Sequence, residues 1–190
     1  MYEKKLLIVL GVYKPDGFLS ELLDSLSTQT FKNFDILITD DSEEKSLNLK
    51  EIKDRFIKYK INVFYRSGPR DGFAKNFIYG LKVLKKSYEY YAFCDQDDIW
   101  FKEKIEKSLN KLESLNSGNF RLYCSRTEII DSKGKHIGYS PKFIKPPSFK
   151  NSLVQSLAGG NTMVFCEKLR NIIVRSTANE KEISSHDWIA

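Results

Sequence analysis

The order of apolar and polar positions predicts alternating strands and helices in the first half of the chain. Short apolar runs predict buried strands, because a parallel strand covered on both faces is apolar throughout; they are "LLIVLGVY", "FDILITDD", "INVFYR" and "YYAFCD". The segments between them carry apolar residues at helical spacing; they are "DGFLSELLDSLSTQ", "LNLKEIKDRFIKY" and "DGFAKNFIYGLKVLKK". This alternation is typical of βαβ units and predicts an α/β fold with a mostly parallel central sheet flanked by helices. Asp16 is the predicted N-cap of the first helix, and Phe73 is assigned to the apolar face of the third.

The second half of the chain has a different rhythm. "KEKIEKSLNKLESL" predicts an amphipathic helix, and "FRLYCSRTEIIDSKGKHIGY" predicts two strands around a turn, which would extend the sheet with antiparallel strands. The last part predicts helix, strand and helix, with a break at Gly159 and Gly160. No linker or repeat interrupts the pattern, so we predict a single domain over residues 1–190. The chain ends at "ISSHDWIA" without a closing element, which predicts a truncated domain.

Composition and charge narrow the class of protein. The 190 residues carry a net charge of +6, but 31 basic residues are scattered among 25 acidic ones, which argues against nucleic acid as a partner. No apolar run is long enough for a membrane span or a signal peptide, so a cytoplasmic protein is expected. The positive charge leaves open a peripheral contact with the inner membrane face. Cys94, Cys124 and Cys166 are far apart in apolar sequence and are predicted to be buried free thiols.

An acidic cluster interrupts the apolar pattern after the fourth strand. In "YYAFCDQDDIW", the residues Asp95, Asp97 and Asp98 place three carboxylates within four positions, where their like charges repel. A hard divalent cation such as Mn²⁺ or Mg²⁺, shared with a substrate diphosphate, would compensate these charges. The alternative is a solvated turn that caps the next helix, a role that suits Asp98. The carboxyl ends of parallel strands form the ligand crevice of open α/β sheets, so a site is expected here.

Other polar residues have weaker patterns. Asp40 and Asp41 follow the second strand and could accept hydrogen bonds from a base or ribose, although a turn with Ser42 is the alternative. The loop "SGPRDGFAKN" places basic side chains before a helix, which suits contact with a nucleotide. His186 and Asp187 could act as ligand and base, whereas a histidine in a polar stretch is more often only exposed. No zinc spacing, G-x-G-x-x-G, P-loop or G-x-S-x-G motif occurs.

Five motifs in order resemble a known family. The chain from Leu6 to Trp188 is similar to the inverting family 2 glycosyltransferases of GT-A fold, the fold of nucleotide-diphospho-sugar transferases. The similarity rests on "LIVLGVYKPDGFLSELLDSLSTQTFKNFDILITDDS", "RDGFAKNFIYGL", "FCDQDDIW", "AGGNTMVF" and "HDW". The "DQDDIW" and "HDW" forms most resemble bacterial enzymes that build capsule, O-antigen or cell-wall polysaccharide, including rhamnosyltransferases.

The resemblance implies roles for individual residues. Asp187 matches the catalytic base. Asp95 and Asp97 match the DXD pair, and Asp97 or Asp98 is the implied ligand of Mn²⁺ or Mg²⁺. Lys75 stands where family members have arginine. The implied donor-nucleotide residues are Val12, Tyr13, Pro15, Asp40, Asp41, Arg70, Lys75, Asn76, Asp95 and Gln96. The implied acceptor or sugar pocket is formed by Trp100, Gly160, Asn161, His186 and Trp188.

The implied function is metal-dependent, inverting transfer of a sugar from a UDP- or dTDP-type donor to a glycan or lipid-linked acceptor. Family members generally continue well past "HDW". Two alternatives remain open: a catalytically silent module that binds nucleotide sugars, and a sugar-phosphate nucleotidyltransferase. The second would need a glycine-rich triphosphate loop early in the chain, for which "GVYKPDGF" is a poor substitute.

Overall fold

Strands and helices alternate through the chain in a computed structural model that describes residues 5–115, 118, 120–142, 146, 148–178 and 183–189. The strands are β1 Leu6–Val12, β2 Phe34–Asp40, β3 Val63–Ser67, β4 Tyr90–Asp95, β5 Leu122–Tyr123, β6 Glu128–Ile130, β7 His136–Tyr139 and β8 Val164–Cys166. The helices are α1 Phe18–Ser27, α2 Leu49–Ile57, α3 Phe73–Val83, α4 Lys104–Glu113, α5 Phe149–Ser152 and α6 Glu167–Ser176, with a 3₁₀ turn at Gly160–Thr162.

The central sheet has the strand order β3-β2-β1-β4-β8-β5. The four strands predicted from the apolar runs are parallel to one another, and β8 runs antiparallel to both β4 and β5. The register places Gly11 of β1 opposite Asp95 of β4, and Val12 opposite Asp40 of β2. The carboxyl ends of β1, β2 and β4 therefore meet at one edge of the sheet, where open α/β sheets bind ligands.

Helices cover both faces of this sheet. Alternate residues of β1 point to opposite faces, because side chains alternate along a strand. Leu6, Ile8 and Leu10 pack in one core with α1, α2 and α4, while Leu7 and Val9 pack in a second core with α3 and α6. The predicted α/β fold is thus confirmed. Within the described part of the chain, no helix is both long and apolar enough to cross a membrane.

The predicted hairpin forms but does not extend the central sheet. Strands β6 and β7 pair with each other as a separate two-stranded sheet, with an irregularity in register between Ile129 and Ile130. The antiparallel strands of the central sheet are instead β8 and β5, and β8 is buried along its whole length. An apolar strand can occupy the interior of the sheet, whereas the mostly exposed hairpin cannot.

Three local predictions need correction. Helix α1 has Gly17 as its N-cap, although the Asp16 carboxylate accepts a hydrogen bond from the Phe18 N–H at 3.0 Å. Phe73 is the first residue of α3 and is 62% exposed, so it lies outside the apolar face. Cys124 is exposed, because β5 lies at the edge of the sheet, whereas the other two cysteines are buried as predicted.

A buried polar network secures the amino end of the sheet. The Asp35 side chain at the start of β2 is fully buried and accepts hydrogen bonds from Tyr88 Oη at 2.9 Å and Asn62 Nδ2 at 2.9 Å. Lys86 Nζ lies 3.2 Å from the same carboxylate. Buried charges are tolerated when they are paired and hydrogen-bonded. These contacts connect the starts of β2, β3 and β4 at the edge opposite the expected ligand site.

Candidate active site

The loops that follow β1 and β4 are joined by a side chain of the acidic cluster. Gln96 Oε1 accepts a hydrogen bond from the Tyr13 N–H at 2.9 Å, and Gln96 Nε2 donates to the Tyr13 carbonyl at 3.0 Å. The two bonds continue the pairing of β1 and β4 beyond Asp95. Gln96 therefore fixes the position of the β1 loop relative to the acidic cluster. Below, this pair of bonds is called the Gln96 clasp.

A cavity of about 660 Å³ opens at the carboxyl ends of the parallel strands. Its volume is in the usual range for small-molecule sites. We call it the donor cavity, after the role that the sequence resemblance implies. It is lined by residues at or after the ends of β1, β2, β3 and β4 and by residues of helix α3. Seven of the ten predicted donor residues line it: Val12, Tyr13, Asp41, Arg70, Asn76, Asp95 and Gln96.

Asp41 is the fixed carboxylate of the donor cavity. Its Oδ1 atom accepts a hydrogen bond from the Arg70 N–H at 2.6 Å. Arg70 has φ = 60°, a left-handed conformation that is uncommon outside glycine and often marks functional loops. Gly68 is required beside them, because a Cβ there would lie 2.4 Å from Asp41 Oδ1. The backbone thus orients the carboxylate toward the cavity.

Asn76 also lines the donor cavity. Its Nδ2 atom donates to the Thr39 carbonyl at 2.8 Å. Its Oδ1 atom is buried without a hydrogen-bond partner among the described residues. Buried polar atoms rarely lack a partner unless a ligand or water supplies one.

Three predicted donor residues do not line the cavity. The Asp40 carboxylate accepts hydrogen bonds from the Ser42 N–H at 3.0 Å and from Tyr65 Oη at 3.2 Å. Lys75 forms an ion pair with Asp71, one turn earlier in the sequence. Pro15 lies in the loop before α1. Of the two aspartates after β2, the geometry favours Asp41 as the ligand-facing residue.

The acidic cluster is electrostatically strained. Burial is the largest of the causes that raise the pKa of Asp95 to about 7; the nearby charges of Asp98, Asp97 and Asp187 also act to raise it, and Lys104 acts to lower it. Burial likewise raises the pKa of Asp98, against a hydrogen bond with Asn161 and the charge of Lys104. Asp187 is thus close enough to act on Asp95, although nearly the whole second half of the chain separates them.

These carboxylates fit a hard divalent cation. Asp95 and Asp97 line the donor cavity, and Asp98 Oδ2 is buried with no hydrogen-bond partner in the described part of the chain. Across the described ranges, no group of three or more His, Cys, Asp and Glu side chains is arranged to hold a metal alone. Mg²⁺ and similar ions are commonly held by one or two carboxylates together with substrate phosphates, which agrees with both observations.

Lys104 is a site residue that the sequence did not indicate. Its Nζ atom donates to the Asn161 carbonyl at 2.6 Å and lies 3.6 Å from the centroid of the Trp100 ring. Burial lowers the pKa of Lys104 to about 8. Trp100 itself is only 3% exposed and belongs to the core. The ammonium group therefore connects α4 to the 3₁₀ turn beside the acidic cluster.

A second cavity of about 730 Å³ lies on the other side of the acidic cluster. It shares Asp97 with the donor cavity and is lined by Trp100 and Asn161, two residues predicted for the acceptor or sugar pocket. Phe101 and Tyr123 add aromatic surface, and lysine, arginine and glutamate side chains complete the lining. We call it the acceptor cavity. The two cavities therefore both adjoin Asp97.

The "HDW" segment is anchored on the residues before β8. Ser185 Oγ donates to Asp187 Oδ1, and Ser156 Oγ donates to the Asp187 carbonyl at 3.1 Å. The Trp188 indole N–H donates to the Ser152 carbonyl, and the ring is 44% exposed beside a third, smaller cavity. His186 is only 4% exposed, so the interpretation of an exposed histidine is wrong.

Sequence reasoning missed several residues of the donor cavity. Gly11, Glu43, Phe73 and Phe77 line it without having been predicted. A glycine inside a buried strand often marks a close approach of another group, and a Cβ at Gly11 would lie 2.8 Å from the Phe77 ring. That pattern could have identified Gly11. Phe73 has no such signal, because its position at a helix start depends on the fold.

The Gln96 clasp gives a first testable prediction. Under the donor-nucleotide role that the sequence resemblance implies, Gln96→Glu is expected to lower nucleotide affinity by about tenfold, because it removes the N–H donor to Tyr13 and adds a fourth carboxylate to the cluster. Gln96→Ala removes the clasp without adding charge and is expected to have a smaller effect. Isothermal titration with UDP and Mn²⁺ measures both. Gln155→Glu, at an exposed glutamine outside both cavities, is the matched control. Wild-type affinity in Gln96→Glu would contradict the clasp.

Comparison with known proteins adds to this geometry. A model of glycosyl transferase family 2 matches residues 8–173. The chain is 32% identical over 148 residues to an uncharacterized glycosyltransferase, RT0329, of Rickettsia typhi, covering 76% of this chain and 42% of that protein. It is 32% identical over 184 residues to dTDP-rhamnosyl transferase RfbG of Shigella flexneri, covering 94% and 62%. It is 28% identical over 156 residues to amylovoran biosynthesis glycosyltransferase AmsB of Erwinia amylovora, covering 80% and 50%. The chain thus spans about half the length of these relatives.

Solved structures show the same fold. S. aureus TarS 1–349 in complex with UDP-GlcNAc has a TM-score of 0.67 at 17% identity, over 97% of this chain and 52% of that one. Mannosyltransferase PcManGT from Pyrobaculum calidifontis, in complex with GDP-Man and Mn²⁺, has a TM-score of 0.61 at 12% identity, over 99% and 51%. A 4-diphosphocytidyl-2C-methyl-D-erythritol synthase from Anaerococcus prevotii reaches 0.56 at 17% identity, over 98% and 83%. The fold alone is therefore shared by different kinds of enzyme.

The family match distinguishes between these kinds of enzyme. It covers most of the chain, including the ends of β2 and β4, which carry the aspartates. The resemblance identified from the five sequence motifs is confirmed. The protein belongs to glycosyltransferase family 2 and has the GT-A fold.

Proposed function

We propose that the protein is a metal-dependent, inverting glycosyltransferase that uses a UDP- or dTDP-linked sugar. The observation that carries this proposal is the donor cavity, where seven of the ten predicted donor residues converge beside the acidic cluster. The family match alone does not require these residues to lie close together. Their proximity results from the parallel register of β1, β2 and β4.

The nucleotide is held by the side of the cavity formed by β1 and β2. Asp41, oriented by the Arg70 backbone, accepts the imide N–H that uracil and thymine share. Tyr13 is 54% exposed at the cavity and offers an aromatic face for the base. The Arg70 guanidinium, which also donates to the Glu43 carbonyl at 3.2 Å, supplies positive charge for a phosphate.

The diphosphate lies toward the acidic cluster in this proposal. Asp97 and Asp98 would hold Mn²⁺ or Mg²⁺, and Asp95 lies beside Asp97 in the donor cavity. When bound, the cation supplies charge stabilisation to the departing diphosphate. Asp95 contributes negative charge at the same place, and Lys104 limits the repulsion between Asp95 and Asp98.

The acceptor occupies the acceptor cavity, and Asp187 is the base. Asp187 takes the proton of an acceptor hydroxyl as that oxygen attacks the anomeric carbon from the face opposite the diphosphate. A single displacement of this kind inverts the configuration at that carbon. The aromatic and charged lining of the acceptor cavity suits a sugar, whose ring has both apolar and hydroxyl surfaces.

The biological setting is inferred from the relatives. Two of them are an amylovoran biosynthesis glycosyltransferase and a dTDP-rhamnosyl transferase. We therefore propose that the protein transfers a hexosyl or rhamnosyl group to a glycan or lipid-linked acceptor in bacterial surface polysaccharide synthesis. The rhamnosyl assignment rests on the relative from Shigella flexneri, and it favours dTDP over GDP as the carrier.

A panel of nucleotides tests the donor assignment. UDP or dTDP with Mn²⁺ is expected to raise the thermal unfolding temperature, because a ligand at about 100 times its Kd adds about 2.7 kcal/mol to the stability of a folded protein. GDP is expected to have a smaller effect, because guanine has two rings and its N1–H lies farther from the ribose than the imide N–H of uracil or thymine. Release of nucleoside diphosphate from UDP-GlcNAc or dTDP-rhamnose then distinguishes an enzyme from a silent binding module.

The same panel can contradict the proposal. If none of the three diphosphates stabilises the protein, the assignment of the donor site is wrong. Stabilisation by GDP alone would exclude a pyrimidine carrier. Release of pyrophosphate from UTP or dTTP with a sugar phosphate would favour the nucleotidyltransferase alternative.

A further inference from the structure

His186 has an unusual environment for a residue next to a proposed catalytic base. Its ring lies face to face with Phe77 at a centroid distance of 4.1 Å and edge-on to Phe93 at 4.7 Å. Neither ring nitrogen has a hydrogen-bond partner within the described residues. Burial lowers the pKa of His186 to about 4, with the neighbouring Asp187 as an opposing influence. The ring is thus neutral at physiological pH and is surrounded by the rings of Phe73, Phe77 and Phe93. Below, these three rings are called the aromatic nest.

Gly160 closes this nest from the opposite side. A Cβ at Gly160 would lie 2.2 Å from His186 Nε2, so only glycine leaves room for the ring. Gly160 was predicted to support the sugar pocket. The geometry gives it a different task, since it receives the imidazole rather than lining either main cavity.

Two rings of the aromatic nest also form part of the wall of the donor cavity. Phe77 and Phe73 line that cavity, and the Phe73 ring lies edge-on to His186 at 5.9 Å. The imidazole therefore packs directly behind the surface that faces the donor. Asp187 is the next residue in the chain. The position of the His186 ring therefore determines where the Asp187 carboxylate lies relative to the donor cavity.

We propose that His186 is a positioning residue whose ring, held between Phe77 and Gly160, seats the segment that carries Asp187 against the wall of the donor cavity. It takes no part in proton transfer, because both nitrogens are buried without a hydrogen-bond partner among the described residues and Nε2 lies beside Gly160. This inference rests on the proposed function, since it concerns how the proposed base is held.

The structural test uses the indole N–H signals of the full chain in ¹H–¹⁵N spectra. The chain has two tryptophans, and Trp188 lies in the segment that His186 seats, whereas Trp100 lies in the core. His186→Ala empties the nest and is expected to shift or broaden the Trp188 signal. His186→Met is expected to leave it in place, because methionine fills irregular gaps and contacts aromatic rings favourably. Gly160→Ala displaces the ring from the other side and is expected to resemble His186→Ala.

The kinetic test follows release of UDP from UDP-GlcNAc and of dTDP from dTDP-rhamnose, with water as acceptor. His186→Ala is expected to lower kcat by about 10- to 100-fold, as small misplacements of catalytic groups do, with the donor KM nearly unchanged. His186→Met is expected to keep kcat within about threefold, with the pH profile of the wild type. Lys53→Met, at an exposed position of α2 that lines neither cavity, is the control for introducing a methionine.

The outcomes are distinguishable. If His186→Met loses as much activity as His186→Ala while the Trp188 signal stays in place in both, the imidazole has a chemical role and the proposal is wrong. If His186→Ala and Gly160→Ala leave the Trp188 signal unchanged, His186 does not seat the segment. A wild type that neither binds nor cleaves any donor contradicts the proposed function, and the indole signals still decide the positioning role.

Discussion

Asp187→Asn is expected to lower the rate of nucleoside diphosphate release by about 10²- to 10⁴-fold, the usual contribution of a general base. The amide has nearly the same shape as the carboxylate and can still accept the hydrogen bond from Ser185. It cannot take a proton from an acceptor hydroxyl or from water. Because Asp187 does not line the donor cavity, the affinity for UDP or dTDP is expected to stay within about twofold.

Single-turnover release from UDP-GlcNAc and dTDP-rhamnose, beside titration with the free diphosphates, separates these two effects. Asp54→Asn on the exposed side of α2 makes the same chemical change away from the site and serves as the control. Loss of nucleotide binding together with activity would mean that Asp187 supports the fold of the cavity. Full activity in Asp187→Asn would require a different base.

The fold could be predicted from the sequence because its first strands are recognisable as apolar runs. All residues of β2 and all but one of β1 are buried, so both strands appear as apolar runs of the right length. The aspartates that end β2 and β4 then mark the carboxyl edge of the sheet. Strand pairing in the second half was harder, because β5 has two residues and β8 three. Such short segments have no periodicity that distinguishes a sheet strand from a hairpin.

The roles within the site depended on side-chain direction, which sequence alone does not give. Asp40 and Asp41 are adjacent, yet one binds Ser42 and Tyr65 while the other faces the donor cavity. The difference follows from their places in the chain, since β2 ends at Asp40 and the next residue leaves the sheet.

His186 and Lys104 show a second limit. Each lies in a polar stretch, where exposure is the ordinary expectation. His186 is buried because residues from α3 and β4 surround it, and Lys104 is covered by Trp100 and Asn161. These neighbours come from distant parts of the chain. Burial of a polar residue by tertiary contacts leaves no mark in its local sequence.

Asp97→Asn is expected to abolish the Mn²⁺-dependent stabilisation of the protein by UDP or dTDP and to stabilise the metal-free protein slightly. The two effects have opposite signs because Asp97 is a metal ligand in the proposal but a source of repulsion without metal. Burial and nearby charges, among them the charge of Asp97, together raise the pKa of Asp95 to about 7. A carboxyl whose pKa is raised on folding binds its proton more tightly in the folded state. Its contribution to stability is therefore greatest below about pH 4 and declines as the pH rises to about 7.

Asp97→Asn removes one repelling charge, so the pKa of Asp95 is expected to fall and this decline to become smaller. Thermal unfolding at pH 5 and pH 8, with EDTA or with Mn²⁺ and UDP, measures both effects. The metal-free variant should unfold higher than the wild type at pH 8 by roughly 2 °C, a shift that corresponds to less than about 1 kcal/mol at this size. With Mn²⁺ and UDP the order should reverse, while Asp54→Asn follows the wild type. A variant that is destabilised without metal, or that keeps its full response to Mn²⁺ and UDP, would place the cation elsewhere than Asp97.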